Sequence, residues 1–208
     1  MTKGIDIYHG DGDINFKMVK QSGIDFVIVK LGGSEKKNKW TSPMFFEYVL
    51  RAKDAGLHVG CYFYAGHRSC NYNEGYLDAK YCIDVLKGIK LDFPVFYDFE
   101  ESSAENWQGN TEACVGFCDT MEEAGYYVGI YASDISGFKE RLDMDSLFPY
   151  DFWVARYGNF PSYVPRDRVC IWQYTSSGTV SGCKGRVDMN ECYVDYPEII
   201  TKKGFNNY

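Results

Sequence analysis

The sequence predicts an α/β barrel, and three observations carry that prediction. β-rich apolar runs recur along the chain, helical stretches ending at Gly separate the early ones, and carboxylates and aromatics gather at the ends of the runs. The early runs cover residues 4–7, 26–31, 59–65, 94–98 and 127–131, and Gly23, Gly56, Gly88 and Gly125 each precede one of them. Gly supplies the left-handed helix cap that other residues resist. Helical periodicity precedes these glycines, as in Phe45, Val49 and Ala52, and in Cys114, Phe117, Cys118 and Met121. Alternating strands and helices build parallel βα units, and strands apolar on both faces suit a sheet covered by helices.

After Tyr131 the rhythm changes. A short helix is expected at 136–142, then strands at 152–156 and 169–174 and a last short strand near 185–188. The connection 157–165 carries Gly158, Pro161 and Pro165, so it is not read as a helix. About eight strands, helix-connected early and not late, close most naturally into a barrel. No linker, repeat or low-complexity tract divides the chain, and 208 residues suit one domain, 1–208.

Composition narrows the partners. The net charge of −7 without Lys/Arg clusters argues against nucleic acid and gives no attraction to anionic surfaces. No run approaches the length of a membrane span, and no apolar h-region follows Met1, so neither a membrane segment nor a signal peptide is visible. Eighteen Tyr, 14 Phe and 4 Trp supply flat apolar faces that suit sugar rings and equally fill cores. The eight cysteines form no CxxC pair, which removes zinc-knuckle and thioredoxin spacings and leaves buried thiols or disulfides open.

The sharpest local feature is Phe93-Pro94-Val95-Phe96-Tyr97-Asp98-Phe99-Glu100, an apolar run ending in two carboxylates spaced by two. On a strand that spacing puts both on one face. Both cannot ionise without cost, so one carboxyl keeps its proton towards neutral pH. Glycosidic bonds are cut by such pairs. Barrel catalytic groups sit at the C-terminal ends of strands. That rule gathers Asp6, Asp98, Glu100 and Asp188 at one mouth, ringed by Lys30, Tyr62, Tyr64, Tyr131, Arg156, Tyr157 and Gln173. Each alone has a structural reading, as cap, barrel filler or ion-pair partner; their shared end of the barrel favours function. With only His9, His58 and His67 and no His-x-His, neither a metal nor another cofactor is expected.

Four blocks in order then carry a resemblance. Gly4-Ile5-Asp6-Ile7 with Ile14-Asn15-Phe16, Asp98-Phe99-Glu100, Phe152-Trp153-Val154-Ala155-Arg156-Tyr157, and Trp172-Gln173-Tyr174-Thr175-Ser176 with Val187-Asp188-Met189-Asn190 resemble the family 25 glycoside hydrolases, the Chalaropsis-type lysozymes. The resemblance spans nearly the whole chain. It implies an irregular TIM-like barrel of five βα units followed by three strands without full crossover helices. It implies that Glu100 is the general acid, that Asp98 meets developing positive charge as nucleophile or by orienting the substrate's acetamido group, and that Asp6 and Asp188 hold the sugar and tune the pair. It also implies a peptidoglycan glycan strand as partner, cut between N-acetylmuramic acid and N-acetylglucosamine by a monomer acting on the cell wall, extracellularly or after phage lysis. The chain departs from the family's usual pattern at Tyr8-His9-Gly10, at Leu31-Gly32-Gly33-Ser34 and at Phe63, which bears on substrate preference. A catalytically inactive glycan-binding relative, or a glycosidase for chitin-like oligomers, is the alternative.

Overall fold

A computed structural model describes residues 1–35, 38–67 and 69–208. The chain opens with β1 (Thr2–Ile7), α1 (Phe16–Gln21) and β2 (Phe26–Glu35), and β2 turns back into β3 (Asn38–Thr41). The alternation continues through α2 (Phe45–Asp54), β4 (His58–Tyr64), α3 (Tyr72–Leu86), β5 (Val95–Asp98), α4 (Trp107–Glu123) and β6 (Val128–Ser133). A π-helical segment, Asp134–Lys139, then leads to β7 (Asp151–Ala155), β8 (Val169–Gly178), β9 (Val187–Cys192) and α5 (Tyr196–Lys203). All strands but β3 close a barrel in the order β1-β2-β4-β5-β6-β7-β8-β9, with β9 returning to β1. This is the irregular TIM-like α/β barrel expected from the sequence. The four glycines ahead of the early strands all have the left-handed φ of a helix cap, between 75° and 87°.

Two features depart from the expectation. Every barrel pairing is parallel except those of β9, which runs against both β8 and β1. The stretch between β8 and β9 holds no crossover helix, and without one only an antiparallel return is open to the chain. Asp188 therefore reaches the mouth from the beginning of a strand, not the end of one. The second feature is the β2–β3 hairpin: β2 runs on to Glu35, past the expected run 26–31, and pairs with β3. A Cβ on Gly32 would collide with the Trp40 carbonyl, so Gly is what lets the two strands approach there.

Period-two alternation sorts the side chains. Val27, Val29, Cys61, Phe63, Val95, Tyr97, Ile130 and Val154 face the helices and form the larger core. Phe26, Ile28, Phe96, Tyr131, Trp153 and Ile171 fill the barrel, and Tyr196 and Ile200 of α5 join them from below. The helical face Cys114, Phe117, Cys118 and Met121 is fully buried, with the Phe117 ring stacked on Tyr97 at 4.2 Å. All eight cysteines are free thiols.

Small residues make room inside the barrel. A Cβ on Gly4 would collide with the Phe26 ring, and one on Gly60 would lie 2.7 Å from Phe93 Cβ. Overpacking of this kind costs about 1–3 kcal/mol. Gly4→Ala is therefore expected to lower the unfolding free energy by about that amount. A urea midpoint equal to wild type would show that the barrel floor is not tightly filled.

Candidate active site

The barrel interior changes from apolar to polar within one step of the alternation, and that step is the site. On β1, Gly4 is followed inward by Asp6; on β2, Ile28 by Lys30; on β5, Phe96 by Asp98; on β8, Ile171 by Gln173. From β9, Asp188 and Asn190 enter the same layer, and Asp188 pairs with Asp6 in register.

Asp6 is the most constrained of the acids. Its Oδ2 accepts from Gln173 Nε2 at 3.0 Å and from Asn190 Nδ2 at 2.8 Å. Both amides are oriented from behind. Trp153 Nε1, which can only donate, bonds Asn190 Oδ1 at 2.8 Å, and Tyr131 OH donates to Gln173 Oε1 at 2.9 Å. Burial, and then the Asp188 charge, push the Asp6 carboxyl up to about 8, against the lowering effect of the two amides. The two acids are also hydrogen-bonded, which raises Asp6 and lowers Asp188, so the shared proton resides on Asp6. Burial still leaves Asp188 above the ordinary carboxylate range, with Asp11 as a further repulsive charge.

The proton on Asp6 has a measurable consequence. Between the usual 3.8 and about 8, the folded chain holds a proton that the unfolded chain releases. Stability from this group is thus full below about pH 4 and is lost as pH rises towards 8. Asp6→Asn imitates the protonated form. It is expected to melt a few degrees above wild type at pH 8 and close to wild type at pH 4, by calorimetry. A lower melting temperature at pH 8 would contradict the shared proton.

Asp98 is 4% exposed, and its Oδ1 is buried without a partner. Burial raises its carboxyl well above the ordinary range, Glu100 adds to the rise, and Lys30 opposes it. Glu100 lies open at the rim, yet partial desolvation raises its carboxyl too; Lys30 and Arg141 pull it down, Glu101 and Asp188 push it up. Lys30 Nζ sits 4.5 Å from the Tyr64 ring centre, 5.5 Å from Tyr62 and 5.7 Å from Trp40. Aromatic faces attract a cation and keep it beside the acids. Through these pairwise effects Asp6, Asp98, Glu100 and Asp188 form one interacting set.

Of the ring residues expected from the sequence, Lys30, Tyr62, Tyr64, Tyr131 and Gln173 belong to this constellation. Tyr157 joins it at the rim, its OH 3.2 Å from Gln173 Oε1. Arg156 does not. Its Nη1 is 2.6 Å from Asp134 Oδ2, and Asp134 also accepts the backbone N–H groups of Ser162, Tyr163 and Val164. Arg156 therefore braces the Pro-containing connection beside the mouth, because a buried Asp134 takes its charge first. Sequence reasoning missed Trp40 beside Lys30, and Arg141 and Asp11 as charges that act on Glu100 and Asp188. Asn190 could have been found from its spacing of two from Asp188. Arg141 carries no local signal, since its charge acts on Glu100 from the segment after the π-helix, where its guanidinium bonds the Ser102 carbonyl. Among the described residues, no group of three or more His, Cys, Asp or Glu is arranged to hold a metal ion.

With this geometry in place, comparison with known proteins is decisive. The family model described as Glycosyl hydrolases family 25 matches residues 5–183. The chain belongs to glycosyl hydrolase family 25. The family 25 match takes in Asp6, Asp98 and Glu100, and Asp188 lies just beyond it. The chain is 28% identical over 189 residues to an autolytic lysozyme of Clostridium acetobutylicum, covering 91% of this chain and 55% of that one. The modular autolysin LytC of Streptococcus pneumoniae, solved with a synthetic peptidoglycan ligand, superposes with a TM-score of 0.78 at 28% identity, over 91% of this chain and 46% of that one. The CTP1L endolysin superposes at a TM-score of 0.81 and 23% identity, over 98% of this chain and 70% of that one, and shows the fold alone. The chain spans about half the length of the first two.

Proposed function

We propose that this family 25 barrel is an N-acetylmuramidase that hydrolyses the β-1,4 bond between N-acetylmuramic acid and N-acetylglucosamine in peptidoglycan. The observation that carries the reading is the interacting set of four carboxyls at one mouth, with one acid deep and one at the rim. Lysozyme and autolysin relatives support the same substrate.

Glu100 is the group a glycosidic oxygen can reach. Burial raises both carboxyls of the pair, so the mouth holds on to a proton towards neutral pH. Substrate decides which of the two carries it. Sugar rings over the rim strip water from Glu100 and raise it further, while positive charge at the anomeric carbon favours Asp98 as an anion, as Lys30 already does. Glu100 then protonates the leaving oxygen. Asp98 meets the oxocarbenium-like carbon directly, or accepts the acetamido N–H and turns the acetamido oxygen towards that carbon. Water completes the reaction. Asp6, neutral and pinned by two amides, and Asp188 hold the sugar from the β1–β9 side.

The barrel 1–208 is proposed as one catalytic unit, working as a monomer on the wall. Among the described residues, no helix is long and apolar enough to cross a membrane. Release of soluble fragments from purified, protein-free cell walls tests the reading. Loss of wall turbidity with wild-type protein is expected, and intact walls of several chemotypes after prolonged incubation would refute it.

A further inference from the structure

A second aromatic cleft lies outside the acid mouth, and nothing in the mechanism uses it. It has a volume of about 380 Å³ and is walled by Tyr72 at the start of α3, by Trp107, Gln108, Glu112 and Val115 along α4, and by Asp143. Helices that follow parallel strands begin at the mouth end of the barrel, so the cleft opens on the side where the acids lie. Trp107 is 52% exposed and Tyr72 45%. The cleft is tied to the general acid by its own chain. Trp107 lies on the segment that runs out of Glu100, and this segment is cross-linked to the Asp143 wall: Arg141 Nε donates to Ser102 O at 2.7 Å, Asn110 Nδ2 to Arg141 O at 3.2 Å, and Asp143 N to Thr111 Oγ1 at 2.9 Å.

The lining chemistry selects the ligand. Two aromatic faces meet an amide and carboxylate acceptors, and among the described residues no basic side chain lines the cleft. An anion finds no counter-charge among them. Asp143 is already committed to Asp145 N at 3.2 Å and Ser146 Oγ at 2.7 Å, so the walls are not a cage of free carboxylates for an ammonium group. A pyranose ring fits both demands, with an apolar C–H face for stacking and hydroxyls that donate to Glu112 and to the Gln108 amide oxygen. We propose that the Trp107–Tyr72 cleft is a distal glycan subsite that holds an uncharged N-acetylglucosamine unit of the strand whose scissile bond lies at Glu100. This rests on the peptidoglycan reading above.

The test follows the Trp107 indole N–H by NMR in the Glu100→Gln protein, assigned from its absence in Glu100→Gln/Trp107→Ala. Chitohexaose and peptide-free glycan strands should move that resonance. Trp107→Ala should weaken strand binding roughly three- to tenfold, with Trp107→Phe recovering most of it. Thermal melts of both variants check that they remain folded, and Trp107→Phe, which keeps a ring, carries the comparison if the Ala variant does not. An unmoved indole at saturating glycan, or unchanged affinity in the Ala variant, overturns the proposal. A shift produced only by a lysine-bearing stem peptide overturns it in favour of an amine site. A wild-type protein that cuts no wall while its Trp107 signal still responds to glycan would sink the hydrolase reading and leave the subsite standing.

Discussion

Glu100→Gln lowers kcat on purified peptidoglycan by about 10²–10⁴-fold, while the protein folds and still binds glycan. The amide keeps the shape of the carboxyl and removes the proton that the leaving oxygen needs. Glu100 is open at the rim, so the substitution leaves no buried group unpaired and the melting temperature stays near that of wild type. The proton also sets the pH profile. Desolvation, Glu101 and Asp188 hold Glu100 above the ordinary range, so activity persists above the pH at which a free Glu would have ionised, and it falls as that raised value is passed. Retention of more than a tenth of the wild-type kcat would mean that another group donates the proton.

Asp98→Asn is expected to cost about 10²–10³-fold in kcat with a smaller change in KM, because the lost interaction forms mainly with developing charge. The same change should not weaken the fold at neutral pH. A buried carboxyl raised well above the ordinary range favours folding at low pH and disfavours it as pH climbs, so a neutral amide removes a destabilising charge. The pair of readouts separates function from structure: a variant that loses activity and stability together at pH 7 would show that Asp98 acts as a scaffold. Enzymes hold such strained electrostatics at their sites, and the unpartnered Asp98 Oδ1 is its visible sign here.

Much of this was legible in the chain. The early βα rhythm was readable because glycine caps and period-two runs are local signals, and Asp98 and Glu100 were readable because their spacing is a strand spacing. What escaped depended on contacts between distant segments. The direction of β9 follows from the connection before it, and the β2–β3 hairpin from one close backbone approach at Gly32. Trp40 enters the site only because that hairpin folds over Lys30. Arg156 looked like a mouth residue by position, but the buried Asp134, twenty-two residues earlier, claims its guanidinium. The last helix, α5, had readable signals in its Asp195 cap, Pro197 in its first turn and Gly204 after its end, and it closes the barrel floor with Tyr196 and Ile200.

The measurement that bears most directly on the central claim is mass spectrometry of fragments released from purified peptidoglycan by the wild-type chain, beside Glu100→Gln. Fragments ending in reducing N-acetylmuramic acid, and lost in the variant, are the predicted result. Fragments ending in reducing N-acetylglucosamine, cleavage confined to peptide bonds, or equal release by the variant would contradict it.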